Sequence, residues 1–146
     1  MKIGMDLTGD KHLIGELRRL AGAGEGKTVR KSLYAGGLVL EGGIKANIQT
    51  KNIIDTGFML NSVYTATQDE SDYGQAGGSA SGHTMLPKEQ PAPDEAIVAV
   101  GADYGIYHEM GTSKMAARPF VRPAVDESGP QVVDAIKSVL KGAIGG

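Results

Sequence analysis

The chain has 146 residues, the size of one ordinary domain, and its 40% hydrophobic and 22% charged residues strike a globular rather than a disordered balance. It contains no cysteine, which excludes disulfides, thiolate metal sites and thiol nucleophiles; 22 glycines against two Phe and no Trp predict an aliphatic core and a loop-bearing fold. A net charge of −2 with scattered Lys and Arg gives no basic footprint, so any contact with DNA is expected to be weak.

Residues 1–10 lack the apolar stretch of a signal peptide, and nowhere do about eighteen apolar residues run together, so a soluble protein made inside the cell and without membrane contact is expected. From Asp10 to Ala21 the positions Leu13, Ile14, Leu17, Leu20 and Ala21 recur at helical spacing, which predicts an amphipathic helix ending in the cluster Gly22, Gly24 and Gly26. Thr28 is a candidate cap for a second helix with the stripe Val29, Leu33, Gly37, Leu40, Ile44 and Ile48. Gly36, Gly37, Gly42 and Gly43 each cost about 1 kcal/mol relative to Ala inside a helix. Two readings of them stand: a face where another backbone comes close, or a weak helix that frays.

Asp55-Thr56-Gly57 is a turn signal, after which "VYTATQ" alternates as a strand does and "AIVAVG" at 96–101 forms a second β-rich run. Between them residues 68–94 are as polar and Gly/Ser/Pro-rich as a linker, and a long flexible loop is expected there. The last segment carries Val132, Val133, Ile136, Val139 and Leu140 at helical spacing, with Pro130 suited to its first turn. The pattern predicts a single α+β domain over 1–146, with N-terminal helices and a C-terminal helix packed on a small antiparallel sheet.

Residues 21–28, "AGAGEGKT", have the form of a phosphate-binding loop. Such a loop needs a buried strand before it and a magnesium-holding Asp at the end of another. Here the preceding segment reads as helical, Arg18 and Arg19 stand where the strand belongs, and neither Asp103 nor Asp134 is suitably placed. A flexible joint between helices is the better reading; an enzyme using Gly26, Lys27 and Thr28 is the alternative, and a DNA-binding accessory protein is a second. His12, His83 and His108 show no metal-ligand spacing, and no serine has a nucleophile-elbow context. Neither a catalytic centre, nor a cofactor, nor a metal is expected.

The stretch from Asp103 to Glu127 carries the most specific signal. Tyr104, Tyr107, Glu109, Gly111, Thr112, Arg118, Pro119, Phe120, Arg122, Pro123 and Ala124 resemble the signature of the neck and tail-completion (minor tail component) proteins of long-tailed phages. Asp55-Thr56-Gly57 with Leu60, Ser62 and Val63 is similar to a second element of that family upstream. The departures are the Gly/Ser-rich insertion before Asp94 and the Gly129-Pro130 break in the last helix.

Physically, Gly111-Thr112 turns the chain, Pro119 and Pro123 restrict it, and Phe120 anchors a core. Glu109 is expected to pair with Arg118 or Arg122, within a subunit or across a boundary. The resemblance implies a nonenzymatic virion component, a homo-oligomeric, hexameric ring between neighbouring head-closure and tail proteins, located at the virion neck and in the host cytoplasm during assembly. DNA would pass through it with only weak, transient contact, and the loop at 68–94 would order on assembly or project toward the channel or a neighbour. As touching spheres about 40 Å across, four such chains enclose a hole of roughly 16 Å, too narrow for a duplex roughly 20 Å wide, whereas six enclose nearly 40 Å and five serve narrowly.

Overall fold

A computed structural model describes residues 2–3, 11–50, 57–74 and 85–144. In chain order they form β1 (Lys2–Ile3), α1 (Lys11–Gly22), α2 (Gly26–Thr50), α3 (Phe58–Ser62), β2 (Val63–Ala66), β3 (Ile97–Val100), α4 (Gly105–Met110) and α5 (Arg122–Ile144). The fold is α+β. The sheet is antiparallel in the order β1-β3-β2, with Val63 opposite Val100 and Ala66 opposite Ile97. Among the described residues no helix is long and apolar enough to cross a membrane.

Helix α2 follows its predicted stripe: Val29, Leu40, Ile44 and Ile48 are buried. Three of the four glycines read in its interior, Gly36, Gly37 and Gly43, are places of close approach, whereas Gly42 faces open space. A Cβ added at Gly36 would lie 2.8 Å from Ile136 Cγ1 and one at Gly43 2.8 Å from Ser128 Oγ, so both face α5. As α2 advances from 36 to 43 its partners on α5 recede from 136 to 128, so the two helices are antiparallel. A Cβ at Gly37 would lie 2.5 Å from Thr65 on β2, so the neighbouring face of the same helix meets the sheet. The absent side chains let α2 pack against two layers, which offsets the low helix propensity of glycine. Phe120, Ile44, Ile48 and Ile136 form the fully buried centre.

Three expectations are corrected. Thr28 does not cap α2: the helix begins two residues earlier, the Val29 amide donates to the Glu25 carbonyl at 3.1 Å, and the Thr28 hydroxyl turns to the Glu25 carboxylate. Pro130 is not in the first turn of the last helix, because α5 starts at Arg122 and runs through it. The proline lies on the exposed side of α5, and the carbonyl deprived of its donor belongs to exposed Asp126, where water can replace the lost bond. Strands β2 and β3 are buried on both faces rather than alternating.

That last difference follows from the long loop, whose two flanks cover the sheet. Tyr73 packs edge-on against Tyr64 at 4.9 Å and donates its hydroxyl hydrogen to the Leu86 carbonyl at 2.7 Å. The Glu89 amide donates to the Tyr64 hydroxyl, and Arg30 of α2 holds Asp69 at 2.7 Å. Residues 68–74 and 85–94 are thus fastened; of the loop expected over 68–94, residues 75–84 lie outside the described residues.

Candidate functional site

Strand β3 delivers the chain to Gly105, where a Cβ would stand 2.9 Å from Val100 Cγ1. Helix α4 starts there and ends at Gly111, whose φ of +76° is a left-handed conformation costly to other residues. A Cβ on Gly111 would also meet the Ala117 backbone nitrogen at 2.8 Å. The chain then doubles back. The Thr112 amide donates to the Met115 carbonyl at 2.8 Å, the Thr112 hydroxyl accepts from the Lys114 amide, and the Arg118 amide donates to the His108 carbonyl at 2.7 Å.

This return sets Glu109 beside the start of α5. One carboxylate oxygen accepts the amides of Phe120 and Val121, each at 2.9 Å, and the other accepts that of Arg122 at 3.3 Å. The Val121 and Arg122 N–H groups are among those that a helix start leaves without intrahelical partners, the Phe120 N–H lies just before them, and Pro123 next in line has none to satisfy. A negative group at this end also interacts favourably with the helix dipole. The expected pairing of Glu109 with Arg118 or Arg122 is therefore corrected within the subunit: the carboxylate takes backbone amides, because the tight turn at Gly111 brings it over the helix end rather than toward a guanidinium. Phe120, fully buried, anchors the far side, and its carbonyl accepts from the Asn47 side chain at 3.1 Å.

The residues of the resemblance converge to a large extent. Glu109, Gly111, Thr112, Arg118, Pro119, Phe120, Arg122 and Pro123 belong to this single clamp. Tyr104 stacks on Phe58 at 6.3 Å, and Phe58 follows Gly57, whose φ of +76° makes the turn into α3. The two sequence blocks thus meet in space; Asp55 and Thr56 lie outside the described residues. Tyr107 stands apart, because α4 turns Ile106, Tyr107 and Met110 to solvent, with 47%, 55% and 73% exposure.

On the inner side of α4, His108 sits edge-on to Tyr104, and its Nδ1 is buried without a hydrogen-bond partner. Burial first, and the Arg118 charge second, hold this imidazole below its usual pKa, so it stays neutral.

A second polar junction was not foreseen. Glu41 of α2, only 6% exposed, accepts the Thr65 hydroxyl hydrogen at 2.8 Å and pairs with Lys45 at 3.1 Å, while the Thr65 amide donates to Asp72 at 2.7 Å. Burial foremost, then a hydrogen bond with the Asp72 carboxyl, push the Glu41 carboxyl above its usual range. Burial and the carboxylates of Asp72, Glu70 and Glu41 likewise raise the Tyr34 hydroxyl. The spacing of Glu41 to Lys45 was the available signal in the sequence. The junction ties α2, β2 and the first turn of the loop together.

Residues 21–28 form the corner between α1 and α2, so a helix rather than a strand precedes Gly26, Lys27 and Thr28. Lys27 and Lys31 line a surface hollow in which Asp69 and Glu70 stand opposite, the wrong charge for a phosphate. Among the described residues no group of three or more His, Asp or Glu is arranged to hold a metal ion. His83 lies outside the described residues. No family model, no curated protein and no solved structure matches this chain.

Proposed function

We propose that this chain is a nonenzymatic structural component of a tailed-phage virion, a neck or tail-completion subunit that forms a ring around the DNA channel between head-closure and tail proteins. The observation that carries the reading is the clamp: the residues behind the family resemblance build one unit that holds α4 in place and turns Ile106, Tyr107 and Met110 outward. Three large apolar groups on one short helix, backed by a polar staple, suit a surface made to be covered by another protein. The subunit size supports six copies around a duplex. The weakly acidic charge suits a lumen through which DNA slides, because few cations mean few phosphate contacts to break.

Electron microscopy of the purified protein tests the reading. The expected image is a closed ring, six-fold, with a central opening wider than a DNA duplex. Rings with a hole narrower than roughly 20 Å, or open filaments, contradict it.

A further inference from the structure

The apolar surface of α4 has a counterpart on the same molecule. A groove of about 220 Å³ lies between α2, α5 and the approach to β3, lined by Leu33, Gly36, Val98, Val132 and Ile136 and edged by Asp94 and Glu95. Its volume is below the roughly 300–1,000 Å³ typical of small-molecule sites, and suits one or two inserted side chains. The charges are complementary: the groove has an acidic edge, while exposed Lys114, Arg118 and Arg122 follow α4. The two surfaces also lie apart. Helix α4 follows the C-terminal end of β3 and the groove lies at its N-terminal end, about 13 Å away along the strand. Along α5, Arg122 beside the clamp and Val132 in the groove are about 15 Å apart.

We infer that the α4 surface of one subunit, led by Met110 and Tyr107, docks in the α2–α5 groove of a second copy of this chain. Different patches on the two partners make the contact head-to-tail, the kind of contact that closes into a ring when its rotation divides a full turn. Lys114 and Arg118 then face Asp94 across the boundary, fixing register and partner orientation more than affinity. The α4 residues are the anchor rather than the whole interface, since a stable interface buries about 800 Å² per partner. This inference rests on the ring reading and specifies its contact.

Two variants separate the surfaces: Met110→Asp spoils the protruding side, and Ala96→Arg, at a further residue of the groove wall, fills the groove. Each is checked for an unchanged melting temperature and then measured by light scattering after size exclusion. The expected result is a wild-type ring, a roughly six-fold fall in mass for each variant alone, and a heterodimer when the two are mixed, because only one working contact survives in the mixture. Asp94→Lys and a Lys114→Glu, Arg118→Glu double variant should each fall in mass alone, and their mixture should rebuild a ring of alternating subunits, because both contacts between unlike subunits are then charge-matched. If the wild type forms rings and the folded variants keep full mass, or their mixture gives no dimer, the docking mode is overturned and the ring reading stands. If the wild type is a monomer at every concentration, the ring reading itself falls, and this inference with it. Should Ala96→Arg fail to fold, the Asp94→Lys mixture decides between these outcomes.

Discussion

The α2–α5 seam and the α4 clamp achieve close packing by opposite means. In the seam, contact comes from leaving side chains out: Gly36 and Gly43 let α5 approach until a single added carbon would meet Ile136 or Ser128 at 2.8 Å. In the clamp, contact comes from one carboxylate that accepts three backbone amides. The seam spreads its stabilisation over many small dispersion contacts, whereas the clamp concentrates it in Glu109 and in the backbone conformation of Gly111. The seam is consequently the scaffold, and the clamp is the part whose position a single substitution can alter.

The largest expected effect comes from Phe120, where the two regions join. Phe120→Ala should cost about 3–5 kcal/mol in denaturant unfolding, because it empties the floor beneath the clamp and leaves a cavity against α2. A loss under about 1 kcal/mol would mean that the clamp is not integrated with the core.

Glycine substitutions compare the regions directly. Gly111→Ala combines a left-handed φ with a collision against backbone atoms that cannot rotate away, and should cost about 1–3 kcal/mol. Gly36→Ala meets only side chains, those of Ile136 and Val132, and gains about 1 kcal/mol of helix propensity, so its net loss should be smaller. Paired melting curves check the order, and the reverse order would locate the strain in the seam instead.

Glu109→Ala should cost about 1–3 kcal/mol, with exchange protection lost at Phe120, Val121 and Arg122 while the amides of α2 stay protected. Glu109→Gln keeps an acceptor oxygen and should recover part of the loss.

The smallest effects depend on pH and have opposite signs in two places. The folded pKa of Glu41 is raised, so its contribution is fully present below its ordinary value of 4.5 and is lost as pH climbs through the folded value. Glu41→Gln should therefore gain on the wild type as pH rises. The folded pKa of His108 is lowered, so its contribution is present above its ordinary 6.5 and is lost as pH falls through the folded value. Acid should loosen α4, and His108→Gln should blunt that limb of the stability profile.

Much of the scaffold was legible because it is periodic. The stripe from Val29 to Ile48 marked the core face of α2, and the β-rich runs at 63–68 and 96–101 contain the paired strands 63–66 and 97–100. Short elements were not legible: β1 has two residues, and α3 and α4 have five and six, too few for a period to show. The start of α5 was misplaced because local proline chemistry favoured Pro130, whereas the cap comes from Glu109, eleven or more residues upstream. The turn at Gly111-Thr112 was legible, but no local pattern shows that it carries Glu109 back over the start of α5. The same limit hid the burial of Glu41, whose partners Thr65 and Asp72 are brought to it by the sheet. The glycines of α2 left two readings open, and only the positions of Ile136, Thr65 and Ser128 decide for close approach at Gly36, Gly37 and Gly43, while Gly42 meets nothing.

Absolute mass in solution, followed by light scattering after size exclusion across a concentration series, tests the ring most directly. The account predicts a closed species of six chains whose mass stops growing as concentration rises. A single-chain mass at every concentration would contradict it, as would a mass that climbs without limit.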